Sequence, residues 1–176
     1  MKKIALALLL LPSISFADNV NYANLNYAKL DSDFGSADAY EVSLQTVLEE
    51  KLSIYVGLLF AEDGALTNDE VSDFPDAKEL SFAYALNSFN EGSFYLGAGV
   101  LDFDVADSAE LVASIGYAKL SGDELDYNVS ISDIDGESVF GLALSGLVGD
   151  SGLGWNASLR TGADIDVTSV GLSFIF

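Results

Sequence analysis

From Asn19 to Phe176 the chain alternates bulky apolar residues with small or polar ones at a period of two. The alternation comes in runs of about ten residues broken by short clusters of Gly, Asp, Asn and Ser. The cleanest run places Leu52, Ile54, Val56, Leu58 and Phe60 on one face, with Ser53, Tyr55 and Gly57 on the other. Leu80, Phe82, Tyr84 and Leu86 oppose Glu79, Ser81, Ala83 and Ala85 in the next, and Leu111, Ala113, Ile115 and Tyr117 oppose Glu110, Ser114, Gly116 and Ala118 further on. Phe140, Leu142 and Leu144 stand against Gly141, Ala143 and Ser145. A helix needs a period near 3.6, so these are strands with one apolar face. Ten are predicted: Asn19 to Leu30, Asp38 to Leu48, Lys51 to Ala61, Ala77 to Asn87, Ser93 to Phe103, Ala109 to Lys119, Leu125 to Ser132, Ser138 to Val148, Gly154 to Gly162 and Ile165 to Phe176. The first is the least regular, with Leu25 and Tyr27 as its outward pair.

The final run carries the most information. Val170, Leu172, Phe174 and Phe176 share one face, while Gly171 and Ser173 lie on the other. Large groups on a single side suit a strand that faces lipid, whereas such an edge in a soluble sandwich invites aggregation. This stretch resembles the carboxy-terminal strand of small bacterial outer-membrane β-barrels of the outer-membrane-protein-A/X-like or small porin-like kind. The resemblance implies that Phe176, Phe174, Leu172 and Val170 form a signal read by the barrel-insertion machinery. It departs from the family in having Phe174 where tyrosine is frequent and an apolar Ile175 on the other face.

The implied fold is all-β, a closed antiparallel up-and-down transmembrane barrel. Ten strands are preferred; eight would result if the first hairpin or the last two runs were misread. An even number keeps both termini on the periplasmic side. The external connections are then Asp31 to Ala37, Glu62 to Asp76, Asp104 to Ser108, Asp133 to Glu137 and Ala163 to Asp164. Only Glu62 to Asp76 is long enough to hold structure of its own. Phe94, Tyr117, Trp155, Phe174 and Phe176 form one aromatic girdle, and Tyr40, Phe60 and Phe140 the other. A soluble lipocalin-like barrel would instead keep its large apolar groups inside.

The start of the chain points to the same compartment. Met1-Lys2-Lys3, the apolar run from Ile4 to Leu11, and Ser15-Phe16-Ala17 form the three parts of a secretory signal peptide, cleaved after Ala17. Residues 1–17 are read as that signal and 18–176 as the barrel. The apolar run is too short to span a bilayer as a helix.

Composition sharpens this picture. Half the residues are hydrophobic, yet 28 acidic residues face 7 basic ones for a net charge of −21. Apolar and acidic residues must therefore be separated in space, as an apolar wall with acidic ends would do. Nucleic acid is excluded as a partner, since phosphate binding needs a basic surface. There is no cysteine, hence no disulfide or thiol chemistry, and no histidine. The absence of histidine removes a Ser-His triad and a histidine base or metal ligand. It also removes what lipid-A-modifying barrels and the aspartate-based outer-membrane proteases would need, so no enzyme is expected.

The sole arginine, Arg160, is the most pointed single residue. Periodicity turns it into the lumen, where Glu41, Glu79 and Glu110 also point. An unpaired charge in a narrow lumen is costly, so an Arg-Glu plug or gate is expected, similar to that in small barrels of the outer-membrane-protein-A type. The alternative leaves Arg160 at the rim in water, on a lipopolysaccharide phosphate or on nothing. Inward Gly57, Ala83, Gly97, Gly99, Gly116, Gly141 and Gly171 leave either a water-filled passage or close-packed walls, with Tyr55 and Tyr95 able to block it.

Acidic pairs recur at the external hairpins: Asp31 with Asp33, Asp102 with Asp104, Asp133 with Asp135, and Asp164 with Asp166. None completes a calcium loop, and aspartate also favours tight turns by itself. No cofactor and no dedicated metal site are expected: the pairs read first as solvated turns, with loosely bound divalent cations bridging to lipopolysaccharide as the alternative. Lys29 and Lys78 lie outward near the rim as snorkelling lysines. Two functional classes stand: a non-catalytic envelope protein with acidic external hairpins, or a narrow cation-selective channel. Expected partners are outer-membrane lipid, lipopolysaccharide and, during biogenesis, the barrel-insertion machinery; oligomeric state is open.

Overall fold

Strict two-residue alternation builds strands with two chemically different faces, and the chain uses them to enclose a lumen. The computed structural model describes residues 20–32, 35–62, 64–66, 71–72, 76–104, 108–122, 125–162 and 165–176. The signal peptide expected over residues 1–17 lies outside the described residues, as do Asp33 and Asp164 of the acidic pairs. The strands are β1 (Val20–Ser32), β2 (Gly35–Leu48), β3 (Leu52–Ala61), β4 (Gly64–Leu66), β5 (Val71–Ser72), β6 (Ala77–Ala85), β7 (Ser93–Phe103), β8 (Glu110–Lys119), β9 (Asp126–Ile134), β10 (Glu137–Leu147), β11 (Leu153–Gly162) and β12 (Ile165–Ile175).

Ten of them form a ring. Each long strand pairs antiparallel with its chain neighbour, β3 pairs with β6 across the β4–β5 hairpin, and β1 pairs with both β2 and β12. The barrel is therefore closed at ten strands, and the eight-strand alternative falls because both the first hairpin and the last two runs take part. Closure removes every sheet edge from the ring. At the seam Tyr22 sits opposite Ile175 and Ser32 opposite Ile165. The seam is tight where Asn26 faces Gly171, since a Cβ on Gly171 would run into the Leu25 carbonyl oxygen. Phe176 and Asn21 exchange two backbone hydrogen bonds of 3.0 Å, which tie the last residue to the first strand.

The outer face carries exposed large apolar side chains on every long strand from β6 to β12, among them Leu80, Leu96, Leu111, Ile131, Phe140, Trp155 and Leu172. Many inner positions carry glycine, alanine, serine or asparagine, with Ala28, Ala39, Ser43 and Ser169 deeply buried, while Leu30, Leu59 and Val167 pack inside near Ala28 and Ala39. That is the inside-out arrangement of a membrane-spanning barrel. Aromatic rings gather at both ends of the outer wall: Phe94 meets Tyr117 at 5.0 Å and Tyr117 stacks on Tyr127 at 6.0 Å near one end, while Tyr27 meets Tyr40 at 6.1 Å near the other.

The end bearing Val20 and Phe176 is here called the terminal end, and the opposite one the hairpin end. Several strands run further toward the hairpin end than hydrophobicity predicts. β1 extends to Ser32, β2 starts at Gly35, β9 reaches Ile134 and β10 starts at Glu137. Beyond the apolar belt polar residues still satisfy their backbone groups in the ladder, as Asp31 opposite Ser36 does, so polarity ends the belt without ending the strand. Within the predicted external connection Asp133 to Glu137, only Asp135 and Gly136 stand outside the ladder. Both have positive φ (51° and 89°), which fits the two-residue hairpin turn that Asp-Gly favours. Asp133 accepts the Gly136 N–H at 3.2 Å, a turn role for one of the acidic pairs. The longest connection does hold structure of its own: β4 and β5 form a short hairpin that continues β2 through Gly35 and Leu66.

Candidate functional site

The lumen is interrupted at two levels by side chains of contrasting chemistry. The first level lies toward the hairpin end. Arg160 projects inward from β11 and its Nη1 donates to Glu79 Oε2 on β6 at 2.8 Å. Counted around the ring, β11 and β6 are five strands apart in a ring of ten, so this ion pair spans the full width of the barrel. Arg160 also lies over the Tyr55 ring at 5.9 Å. The Tyr55 hydroxyl donates to Glu41 Oε1 at 2.8 Å, and Asn26 Nδ2 donates to Glu41 Oε2 at 3.1 Å. β1, β2, β3, β6 and β11 thus contribute to one polar cross-member.

The second level closes the terminal end. The Ser88–Gly92 connection between β6 and β7 folds inward and buries Phe89 against Tyr22, Val47, Ala85, Tyr95, Leu120 and Ile175. Backbone hydrogen bonds strap it across the mouth: Phe89 N–H donates to the Glu50 carbonyl at 2.7 Å, and Leu120 N–H donates to the Phe89 carbonyl at 2.8 Å. Beside this apolar cluster Asp126 is almost wholly buried, yet amply satisfied. Its Oδ1 accepts from the Ser121 amide (2.8 Å) and hydroxyl (2.9 Å), and its Oδ2 from the Tyr22 hydroxyl (2.7 Å) and the Gly122 amide (2.9 Å). Gly122 has φ of +72°, and a Cβ there would press on Val20 and Ile175, so glycine suits this position on two counts.

Two cavities flank the cross-member. One of about 240 Å³ lies between the two barriers, and one of about 380 Å³ opens toward the hairpin end. Glu41, Tyr55, Glu79, Ser158 and Arg160 line both, together with Leu101, Ile134 and Val139 on the wall at that level. The outer cavity has apolar walls, including Leu59, Phe103 and Val167, and carries Glu110 and Glu137 in addition.

Arg160, Glu41, Glu79 and Glu110 line the lumen. Arg160 and Glu79 are in direct contact, and Glu41 joins through Tyr55. Glu110 lines the outer cavity, but no hydrogen bond or ion pair links it to Arg160 among the described residues. Val170, Leu172, Phe174 and Phe176 stand outward and exposed on β12 or just past it, with the last two rings 5.6 Å apart. Outward Lys78 bridges Asp104 at 2.6 Å and Asp102 at 3.7 Å, and Lys29 reaches Asp31 at 3.0 Å. Two of the inward glycines are covered by tyrosine: a Cβ on Gly57 would meet Tyr55, and one on Gly116 would meet Tyr95, whose hydroxyl donates to Asn128 at 2.9 Å. These glycines make room for aromatic rings and not for a passage.

The terminal closure escaped sequence reading. Phe89 lies in a connection, where neither alternation nor outward position flags it. Asp126 is the second residue of the predicted run Leu125 to Ser132, where alternation alone does not show that its carboxylate is buried. The available signal was a lone phenylalanine within an otherwise polar Ser88–Gly92 segment.

No protein-family model matches the chain, and no curated protein matches it significantly. The solved structures to which the chain is similar include three small barrels. A KdgM porin in complex with disordered oligogalacturonate is 13% identical, with 87% of this chain and 99% of that one covered and a TM-score of 0.42. Neisserial surface protein A is 17% identical, covering 90% and 97%, with a TM-score of 0.42. Ail, the attachment invasion locus protein of Yersinia pestis, is 10% identical, covering 90% and 97%, with a TM-score of 0.31.

Proposed function

We propose that the chain is a non-catalytic β-barrel protein of the bacterial outer membrane with a surface or structural role and a lumen barred against free passage. The terminal end faces the periplasm and the acidic hairpins face outward. The observation that carries this reading is the pair of closures in series: the Arg160–Glu79 bridge across the whole lumen, and the Phe89 cluster below it. In this reading Arg160, Glu79 and Glu41 form the upper plug, with Glu110 as an additional carboxylate above it. The hairpins set surface charge and share loosely held divalent cations with lipopolysaccharide. The chain is exported and its signal peptide is cleaved after Ala17, and the β12 face from Val170 to Phe176 is what the insertion machinery reads.

A second reading, a narrow cation-selective channel, is favoured by the carboxylates Glu41, Glu79 and Glu110 around the outer cavity, which would concentrate cations at that mouth. Planar-bilayer recording of the purified barrel separates the two. Silence at moderate voltage is the expected result. Stable cation-selective steps from the wild-type protein would overturn the barred lumen in favour of the channel.

A further inference from the structure

We infer that the outer cavity, between the Arg160–Glu79 bridge and the hairpin end, is a binding site for an amphipathic organic cation, one ammonium group on a small apolar body. The inference goes beyond the barred lumen, since it concerns what the vestibule holds and not what crosses the barrel.

The inner face of the barrel changes character along its length. Below the cross-member serine and asparagine line the lumen, as at Asn24, Ser43, Asn128 and Ser130. Toward the hairpin end the same inward parity turns apolar. Leu59 follows Tyr55 and Gly57 on β3, Leu101 and Phe103 follow Gly97 and Gly99 on β7, Ile134 follows Ser130 and Ser132 on β9, and Val167 stands two residues from Ser169 on β12. All five apolar residues are half-buried, so they leave apolar surface open inside a cavity of about 380 Å³. Water gains nothing from such a wall. A concave space of this size, mostly apolar with a few polar groups, is what a small organic ligand requires.

Charge decides which ligand. Glu41, Glu79, Glu110, Asp135 and Glu137 line the cavity against a single cation, Arg160, which Glu79 already engages. The side chains of Glu110, half-buried, and Glu137, at the open rim, make no hydrogen bond or ion pair among the described residues. Each stands beside an apolar neighbour: Glu110 is opposite Leu101, whose other partner is Glu79, and Glu137 is opposite Ile134. An anion would be repelled here, and a neutral apolar molecule would strip water from the carboxylates without replacing it. An inorganic cation needs converging oxygens, and among the described residues no group of three acidic side chains could hold a metal ion. An ammonium joined to an apolar body answers both features at once. It makes charge-assisted hydrogen bonds to Glu110 and Glu137 while its body is buried against Leu59, Leu101, Phe103 and Val167.

Calorimetric titration of the barrel in phosphatidylcholine nanodiscs, with empty nanodiscs subtracted, tests this with phenylpropylammonium as the probe. Phenylpropanol matches it without the charge, propylammonium without the ring, and phenylbutyrate with the opposite charge. The probe should saturate one site per barrel and bind about tenfold tighter than the alcohol or propylammonium, as one charged hydrogen bond or one buried ring implies. Phenylbutyrate should not saturate. Glu110→Gln should weaken the probe by about tenfold and leave the alcohol unchanged, whereas Phe103→Ser should weaken both. Glu137→Gln is a second carboxylate variant should the first fail to fold, and retention of heat-modifiable gel mobility reports folding. No saturable binding of the probe, equal binding of the alcohol, of propylammonium or of phenylbutyrate, or unchanged binding in the folded variants would each overturn the proposal. A silent bilayer without probe binding removes the site and leaves the barred lumen intact; conduction with saturable binding does the reverse.

Discussion

The two closures of the lumen do the same geometric job with opposite physics. Toward the hairpin end a single cation reaches a carboxylate across the barrel, and the pair is wet: the Arg160 side chain is 45% exposed and that of Glu79 17%. Toward the terminal end Phe89 is 1% exposed, held by contacts from several strands and by backbone hydrogen bonds to two neighbouring turns. An exposed ion pair stabilises by at most about 1 kcal/mol and weakens with salt, whereas a fully buried aromatic ring contributes several times as much and is indifferent to salt. The terminal closure is thus held by packing, and the hairpin-end closure by a weaker, salt-sensitive pair.

The sharpest way to break this contrast is Phe89→Ala. Removing a fully buried phenyl ring is expected to cost about 3–5 kcal/mol. Urea unfolding of the refolded barrel, followed by the fluorescence of its single tryptophan, Trp155, measures the loss. A loss below about 1 kcal/mol would mean that the Ser88–Gly92 connection merely rests on the barrel mouth.

How much of this was legible in the sequence follows from which forces write a period into it. Strand number and facing are written by the contrast between lipid and lumen, which repeats along every strand; hence Leu52 to Phe60 and Val170 to Phe176 could be oriented from the chain alone. Arg160 and Glu79 could be placed inside by the same parity, because each sits within a regular run. Their pairing depended on ring position, which follows once ten strands are known. Phe89, Leu120 and Asp126 are different. Their burial arises where connections fold over the barrel end, and a connection has no period, so only the three-dimensional arrangement reveals them. Strand ends slipped for a related reason: the ladder through Ser32 and Gly35 is held by backbone pairing that side-chain polarity does not report.

A smaller effect is expected from Tyr22→Phe, which deletes one hydroxyl and keeps the ring in the Phe89 cluster. That hydroxyl donates to Asp126 Oδ2 and also lies 3.0 Å from the Gly122 amide as an acceptor. Leaving the buried carboxylate one donor short should cost about 1–3 kcal/mol. The loss should be the same at low and high salt, because the missing partner is neutral. A loss that vanishes in concentrated salt would place this region with the electrostatic closure and erase the contrast.

Arg160→Met is expected to give the smallest change in stability and the largest change in salt response. Methionine keeps an unbranched apolar stem and removes the charge, so Glu79 loses its partner across the barrel but stays in reach of water. The cost should be about 1 kcal/mol or less at low ionic strength. As the Debye length shrinks from about 10 Å at 0.1 M to about 3 Å at 1 M salt, the wild-type pair weakens while the variant has no pair to lose. The two unfolding midpoints should therefore converge with added salt. Bilayer recordings should move in the same order, with the variant admitting brief cation currents at low salt only if the Phe89 cluster is also loosened. Conduction from Arg160→Met alone would show that the apolar closure is leaky, and that the wet ion pair, despite its small energy, is the true barrier.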